Sequence, residues 1–167
     1  MDNKNKGFSL IELVLVMAIL GIVTIGSVIG FGMINGRPAD QCARSLRMAL
    51  TNHRLSTMGK DSAVLRVYME SDGSVWVYEK LETTNAAETV ETRTKICSKG
   101  VNFVIHKNDG TSENLTPGTP GISISFNRHN GSFNLGQDIN YIHISKASHS
   151  YRLIFYNLTG KVELIKE

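Results

Sequence analysis

The sequence predicts an α+β chain. A long N-terminal helix, membrane-spanning in its first half, is expected to pack its second half on a C-terminal antiparallel β domain. Three observations carry that expectation. Leu13 to Ile34 contains no charged side chain, an asymmetry hidden by the mean hydropathy of −0.10 for the whole chain. From Ala39 to His53 apolar residues recur at helical spacing. Beyond Gly59 the period shortens to the alternation of strands, punctuated by turn dipeptides such as Asp72-Gly73 and Asn130-Gly131.

The apolar N-terminal stretch has competing explanations. A secretory signal peptide would carry basic residues, roughly 7–15 apolar residues and a small-residue cleavage site. Lys4 and Lys6 meet the first condition, but the run is too long and no Ala-x-Ala site follows. A lipoprotein signal would place small residues before a cysteine, whereas Cys42 follows Ala39-Asp40-Gln41. A membrane helix needs about 20 apolar residues to cross a hydrocarbon core of roughly 30 Å. Leu13–Ile34 meets that length, and Lys4 and Lys6 orient the short N-terminus to the cytoplasm, with the C-terminal domain outside; Arg37 weakens the bias. A simple membrane tether therefore explains length and orientation. It does not explain Glu12. A carboxylate in such a helix costs up to about 2.5–3.5 kcal/mol at mid-membrane, less near the interface, and such a group normally has a partner.

The residues Gly7-Phe8-Ser9-Leu10-Ile11-Glu12, running on through Leu13-Val14-Leu15-Val16-Met17-Ala18-Ile19-Leu20-Gly21-Ile22, resemble the class III signal of type IV prepilins and pseudopilins. The resemblance implies a pilin-like fold and a matching life history. A prepilin peptidase would cut between Gly7 and Phe8 and methylate the new amino group of Phe8. Gly7 suits that site, since a missing side chain lets extended backbone enter a narrow cleft. Glu12 would meet the terminal amine of a neighbouring subunit and serve assembly, not catalysis. The implied division is a leader at 1–7, a transmembrane and assembly helix at 8–36, an amphipathic helix at 37–59 and a β domain at 60–167. The implied partners are the peptidase, other pilins or pseudopilins, and an assembly ATPase with its membrane platform. The precursor would sit in the inner membrane as a single-pass protein and later enter an extracellular or periplasmic filament. No cofactor is implied.

Within the rod, Gly21, Gly26, Gly30, Gly32 and Gly36 favour either close helix packing or local unwinding on assembly. Gly21 is the position that the resemblance marks for flexibility. Pro38 lacks a backbone donor and clashes with the carbonyl of Ile34, so it should kink or interrupt the helix, or open a fresh one. The next segment, Asp40–Met58, reads as a helix stopped by Gly59. Its apolar stripe is Ala39, Cys42, Ala43, Leu46, Ala49, Leu50 and His53. Arg44, Arg47 and Arg54 lie opposite, with Asp40 and Thr51. A solvated face, or one paired with acids of neighbouring subunits, is the plain reading; a contact stripe for nucleic-acid phosphates is the rival.

Strand-like runs follow at Ala63–Met69, Ser74–Lys80, Val90–Cys97, Val101–Lys107, Ile122–Asn127, Ser132–Leu135, Tyr141–Ser145, Tyr151–Asn157 and Lys161–Ile165. The first two should form a hairpin, the next two a second pair around Ser98-Lys99-Gly100, and Asn108–Gly121 a surface loop. Ile124-Ser125-Phe126 before Gly131, and the ending Gly160-Lys161-Val162, resemble the H-type (GspH/FimT-like) minor pseudopilins, which often end in Gly-Arg-Val instead. Cys42 and Cys97 match neither zinc spacing nor a redox CxxC motif. In an oxidising compartment they could form one disulfide, although sequence does not set their distance. A formal net charge of +3 is too small to imply a nucleic-acid or lipid partner by itself. His53, His106, His129, His143 and His149 are dispersed, without HExxH spacing, and no Gly-x-Ser-x-Gly elbow or phosphate-cradling loop is present. Catalytic and metal-binding roles are therefore not expected.

Overall fold

The computed structural model describes residues 10–58, 62–82, 89–134 and 138–167, apart from the side chains of residues 21–36 and Ser62. The chain divides into two compact units, Met1–Asn35 and Gly36–Glu167, and each is described by itself. One helix, α1, runs over Leu10–Thr57. Nine strands follow among the described residues: β1 Ser62–Met69, β2 Val75–Glu82, β3 Thr89–Cys97, β4 Asn102–Lys107, β5 Ser112–Asn114, β6 Ile122–Ile124, β7 Ile139–Lys146, β8 His149–Tyr156 and β9 Lys161–Lys166.

The strands form two antiparallel sheets, ordered β3-β2-β1-β6 and β5-β4-β7-β8-β9. Alternation decides their faces. Leu65 and Val67 of β1 and Val75 and Val77 of β2 are buried, as are Phe103 and Ile105 of β4, Ile142 and Ile144 of β7, and Leu153 and Phe155 of β8. The stripe of α1 joins the same core: Ala39, Cys42, Ala43, Leu46, Leu50 and His53 are fully buried, and Ala49 is partly so. Burying Leu46 and Leu50 alone removes enough apolar surface to contribute about 1.5–3 kcal/mol each. Phe126, Phe133 and Phe155 pack in sequence with tilted rings, their centroids 4.6 and 5.3 Å apart.

Four expectations need correction. The β3 and β4 runs do not pair with each other. β3 pairs with β2 and β4 with β5 and β7, so the turn at Ser98–Gly100 carries the chain from one sheet to the other. The expected loop after Asn108 contains the short strand β5. The run from Ile122 keeps ladder pairing only to Ile124, and its return strand is reduced to a bridge between Phe126 and Phe133; Leu135 lies outside the described residues. Finally, Pro38 stands inside α1 and neither interrupts nor restarts it. The ring removes one helical hydrogen bond, but burial of Ala39, Cys42 and Ala43 directly after it anchors the next turn. The stop expected at Gly59 lies outside the described residues.

Three turns share one construction. Asp72, Asp109 and Asn130 each precede glycine, and each Oδ1 accepts from the backbone N–H two residues on, in Ser74, Thr111 and Ser132, at 2.8, 2.8 and 3.0 Å. The hydroxyls of the same three residues donate to those oxygens at 2.6, 2.6 and 2.8 Å. Gly73, Gly110 and Gly131 all take positive φ, the reason glycine stands there.

Candidate functional site

Glu12 stands in the first described turn of α1. The apolar side chains around it are exposed at consecutive positions: Leu10, Ile11, Leu13, Val14, Leu15, Val16 and Met17, then Ile19 and Leu20. At about 100° per residue these positions cover every side of the helix, the pattern of a helix that is buried all round in its working state. Gly7 and Phe8 lie outside the described residues, and Gly21 stands within α1. Among the described residues no helix is long and apolar enough to cross a membrane; residues 21–36 of the expected span have side chains outside that description.

The three arginines do not form one free stripe. Arg44 is exposed and pairs with Asp40, Nε to Oδ1 at 2.9 Å. Arg47 is exposed and borders, with Asp40, Arg44, Tyr151, Leu164 and Lys166, a cavity of about 380 Å³. Burial pushes the Tyr151 hydroxyl up from its ordinary value, and its contact with Asp40 pushes it further. Arg54 is half-buried, and its Nε donates to the carbonyl of Gly131 at 2.8 Å. It lies against the Asn130-Gly131 turn beside Gly160, so part of its guanidinium is engaged within the fold.

Cys42 of α1 and Cys97 of β3 are disulfide-bonded, with Cα atoms 4.9 Å apart and 55 positions of sequence between them. The bond ties the helix to an edge strand. A second helix-to-sheet link is polar: His53 Nδ1 and Glu79 Oε1 are 2.6 Å apart. His53 is fully buried and its Nε2 has no hydrogen-bond partner. A carboxylate only accepts, so His53 Nδ1 carries a proton and donates it to Glu79. Alternation along β2 puts Glu79 on the same face as the buried Val77, a signal that it reaches the helix. On the outer face of the first sheet, Arg66, Tyr68, Trp76, Tyr78, Arg93 and Lys95 come together only through strand register, which local sequence does not reveal. Among the described residues no group of three or more His, Cys, Asp or Glu could hold a metal ion.

Residues 2–28 match the prokaryotic N-terminal methylation motif. No curated protein and no solved structure matches the chain. The motif implies processing by prepilin peptidase, a membrane-anchored precursor and assembly with other pilins. The match covers the N-terminal segment alone, and there it supports a type IV pilin-like prepilin.

Proposed function

We propose that the chain is a structural subunit, a minor pilin or pseudopilin of the H-type group, in a type IV pilus or a related secretion or competence filament. Its role is assembly and display, without catalysis. The methylation motif at residues 2–28 carries this reading, because it leads directly into an apolar helix with Glu12 in its first described turn. Cleavage after Gly7 creates an ammonium on Phe8, about one helical turn from Glu12. Moving a helix that is apolar on all sides from bilayer to filament keeps it out of water. Glu12 of one subunit then meets the methylated amine of the next. A buried pair of this kind adds little net stability, but an unpaired Glu12 in the same apolar bundle is strongly unfavourable, so the pair selects the register. An assembly ATPase and its membrane platform would drive extraction.

Processing and assembly are separable tests. Gly7→Leu should remain at precursor mass when the peptidase is present, whereas the wild-type chain shifts to a product beginning with methylated Phe8. Normal maturation of Gly7→Leu would refute the assigned cleavage site. Glu12→Ala should mature normally yet enter sheared filaments at least about tenfold less, the loss expected when a few kcal/mol of register selection disappears. Unchanged incorporation would remove its assigned role.

A further inference from the structure

We propose that the outer face of the first sheet binds an acidic oligosaccharide, one with carboxylates on its sugar rings. This goes beyond the filament reading and does not depend on how the N-terminus is processed. Strand register builds the face. Arg66, Tyr78 and Arg93 are direct neighbours across β1, β2 and β3, and Tyr68, Trp76 and Lys95 form the adjoining row. Their side chains alternate with the buried Leu65, Val67 and Val77, so all six stand on the solvent side. Thr119 and Pro120 help line an open cleft of about 760 Å³ together with Arg66, Tyr78, Lys80 and Arg93. The cleft lining holds three cations and no carboxylate.

The ligand class follows from which groups are already engaged. The Arg93 guanidinium lies over Tyr68 at 5.4 Å and over Trp76 at 4.9 Å, and it also hydrogen-bonds the Tyr68 hydroxyl and Glu70. Those two rings are therefore capped by the protein itself. Tyr78, between the two arginines, is the platform that remains, and one platform suits one ring. A polynucleotide would stack successive bases on successive rings. It would also meet Glu70, Glu82 and Glu91, which hold Arg93, Lys80 and the Tyr78 hydroxyl respectively. Of the three cations lining the cleft, Arg93 and Lys80 are already paired with Glu70 and Glu82, so the site offers Arg66 to a single carboxylate and not a run of cations to successive phosphates, while the rim carboxylates can accept sugar hydroxyls. Arg66 is exposed beside Tyr78, where its planar fork can take a sugar carboxylate in two parallel hydrogen bonds while the C–H face of the ring lies on Tyr78.

The test is calorimetric titration of the full-length chain in neutral detergent with trigalacturonate, its methyl ester and an oligodeoxythymidylate. Trp76 is the chain's single tryptophan, so its fluorescence reports occupancy of this face. The expected result is binding of trigalacturonate with a change in Trp76 emission, at least tenfold weaker binding of the ester, and a similar loss in Arg66→Gln. Arg47→Gln, an exposed cation elsewhere, should bind as wild type. Equal affinity for acid and ester, no heat with the uronate, or indifference to Arg66→Gln with an unchanged melting temperature would each overturn the proposal. Tighter, strongly salt-dependent binding of the oligonucleotide would assign the face to nucleic acid instead.

Discussion

Removing the Cys42–Cys97 bond should cost this protein a large share of its stability. The two cysteines are 55 residues apart, and closing a loop of that length restricts the unfolded chain by about 14 cal/mol/K, or roughly 4 kcal/mol at 25 °C. Both side chains are buried, Cys42 fully and Cys97 at 3% exposure, so the Cys42→Ala/Cys97→Ala variant also loses about 1 kcal/mol of packing. Domains of this size are typically stable by about 5–15 kcal/mol, so the sum is no small fraction. With a urea dependence of about 2 kcal/mol/M, the midpoint should fall by about 2.5 M. Urea unfolding of the full-length chain in detergent, followed by Trp76 emission, measures it. Trp76 suits the purpose because its neighbour Val75 is registered against Cys97. Reductant should move the wild-type midpoint most of the way to that of the double variant. A shift below about 0.5 M, or a wild-type midpoint indifferent to reductant, would refute the loop-closure reasoning.

Two further outcomes test the turns. Gly160→Ala should cost at least about 2 kcal/mol, because φ is +65° and a Cβ would stand 1.8 Å from the Gly131 carbonyl oxygen. Gly110→Ala, at φ +84° with open space around it, should cost only the backbone share, about 1 kcal/mol; equal losses in thermal melts would deny the close approach at Gly160. In Asp72 and Asp109 the hydroxyl and backbone hydrogen bonds from Ser74 and Thr111 hold each carboxyl below its usual range. A lowered folded value means that the contribution is complete above the unfolded carboxyl pKa of about 3.9 and is lost as pH falls through the lower value. Asp72→Asn/Asp109→Asn should therefore melt like wild type at pH 7 and lose less stability below about pH 4, since Asn130 already serves the third such turn. An unaltered acid limb would count against that assignment.

How much of the fold could be read from residues depended on the range of the interaction. Strand positions at β1, β2, β7, β8 and β9 are legible because each alternates around its own buried set, such as Ile142 and Ile144. The stripe of α1 is legible for the same reason. Pairing is not: β3 and β4 are separated by a turn with glycine, a hairpin signal, yet Ile96, Cys97 and Val101 are all buried where the chain changes sheets. Nor does composition reveal the β7–β8 turn, which places Ala147 at φ 54°, a conformation usually left to glycine or asparagine. Arg54 shows the same limit at the site. Its spacing from Arg47 puts both on one helix face, and only the tertiary approach of Gly131 takes it away from solvent. Glu12, the proposed assembly residue, stands out in the sequence because it interrupts an otherwise apolar run, a local feature.

If the domain is exported, as the proposed filament role requires, the link between helix and edge strand also has a consequence for the timing of that passage. Thiols stay reduced in a cytosol and oxidise beyond the inner membrane. On that proposal a newly made chain would meet the membrane without its crosslink, in a form that unravels and threads more readily. Once Cys42 and Cys97 meet an oxidant on the far side, the folded state deepens and slipping back becomes unfavourable. Oxidation thus gives the passage a direction, and an export-defective cell should accumulate the protein in its protease-sensitive, dithiol form.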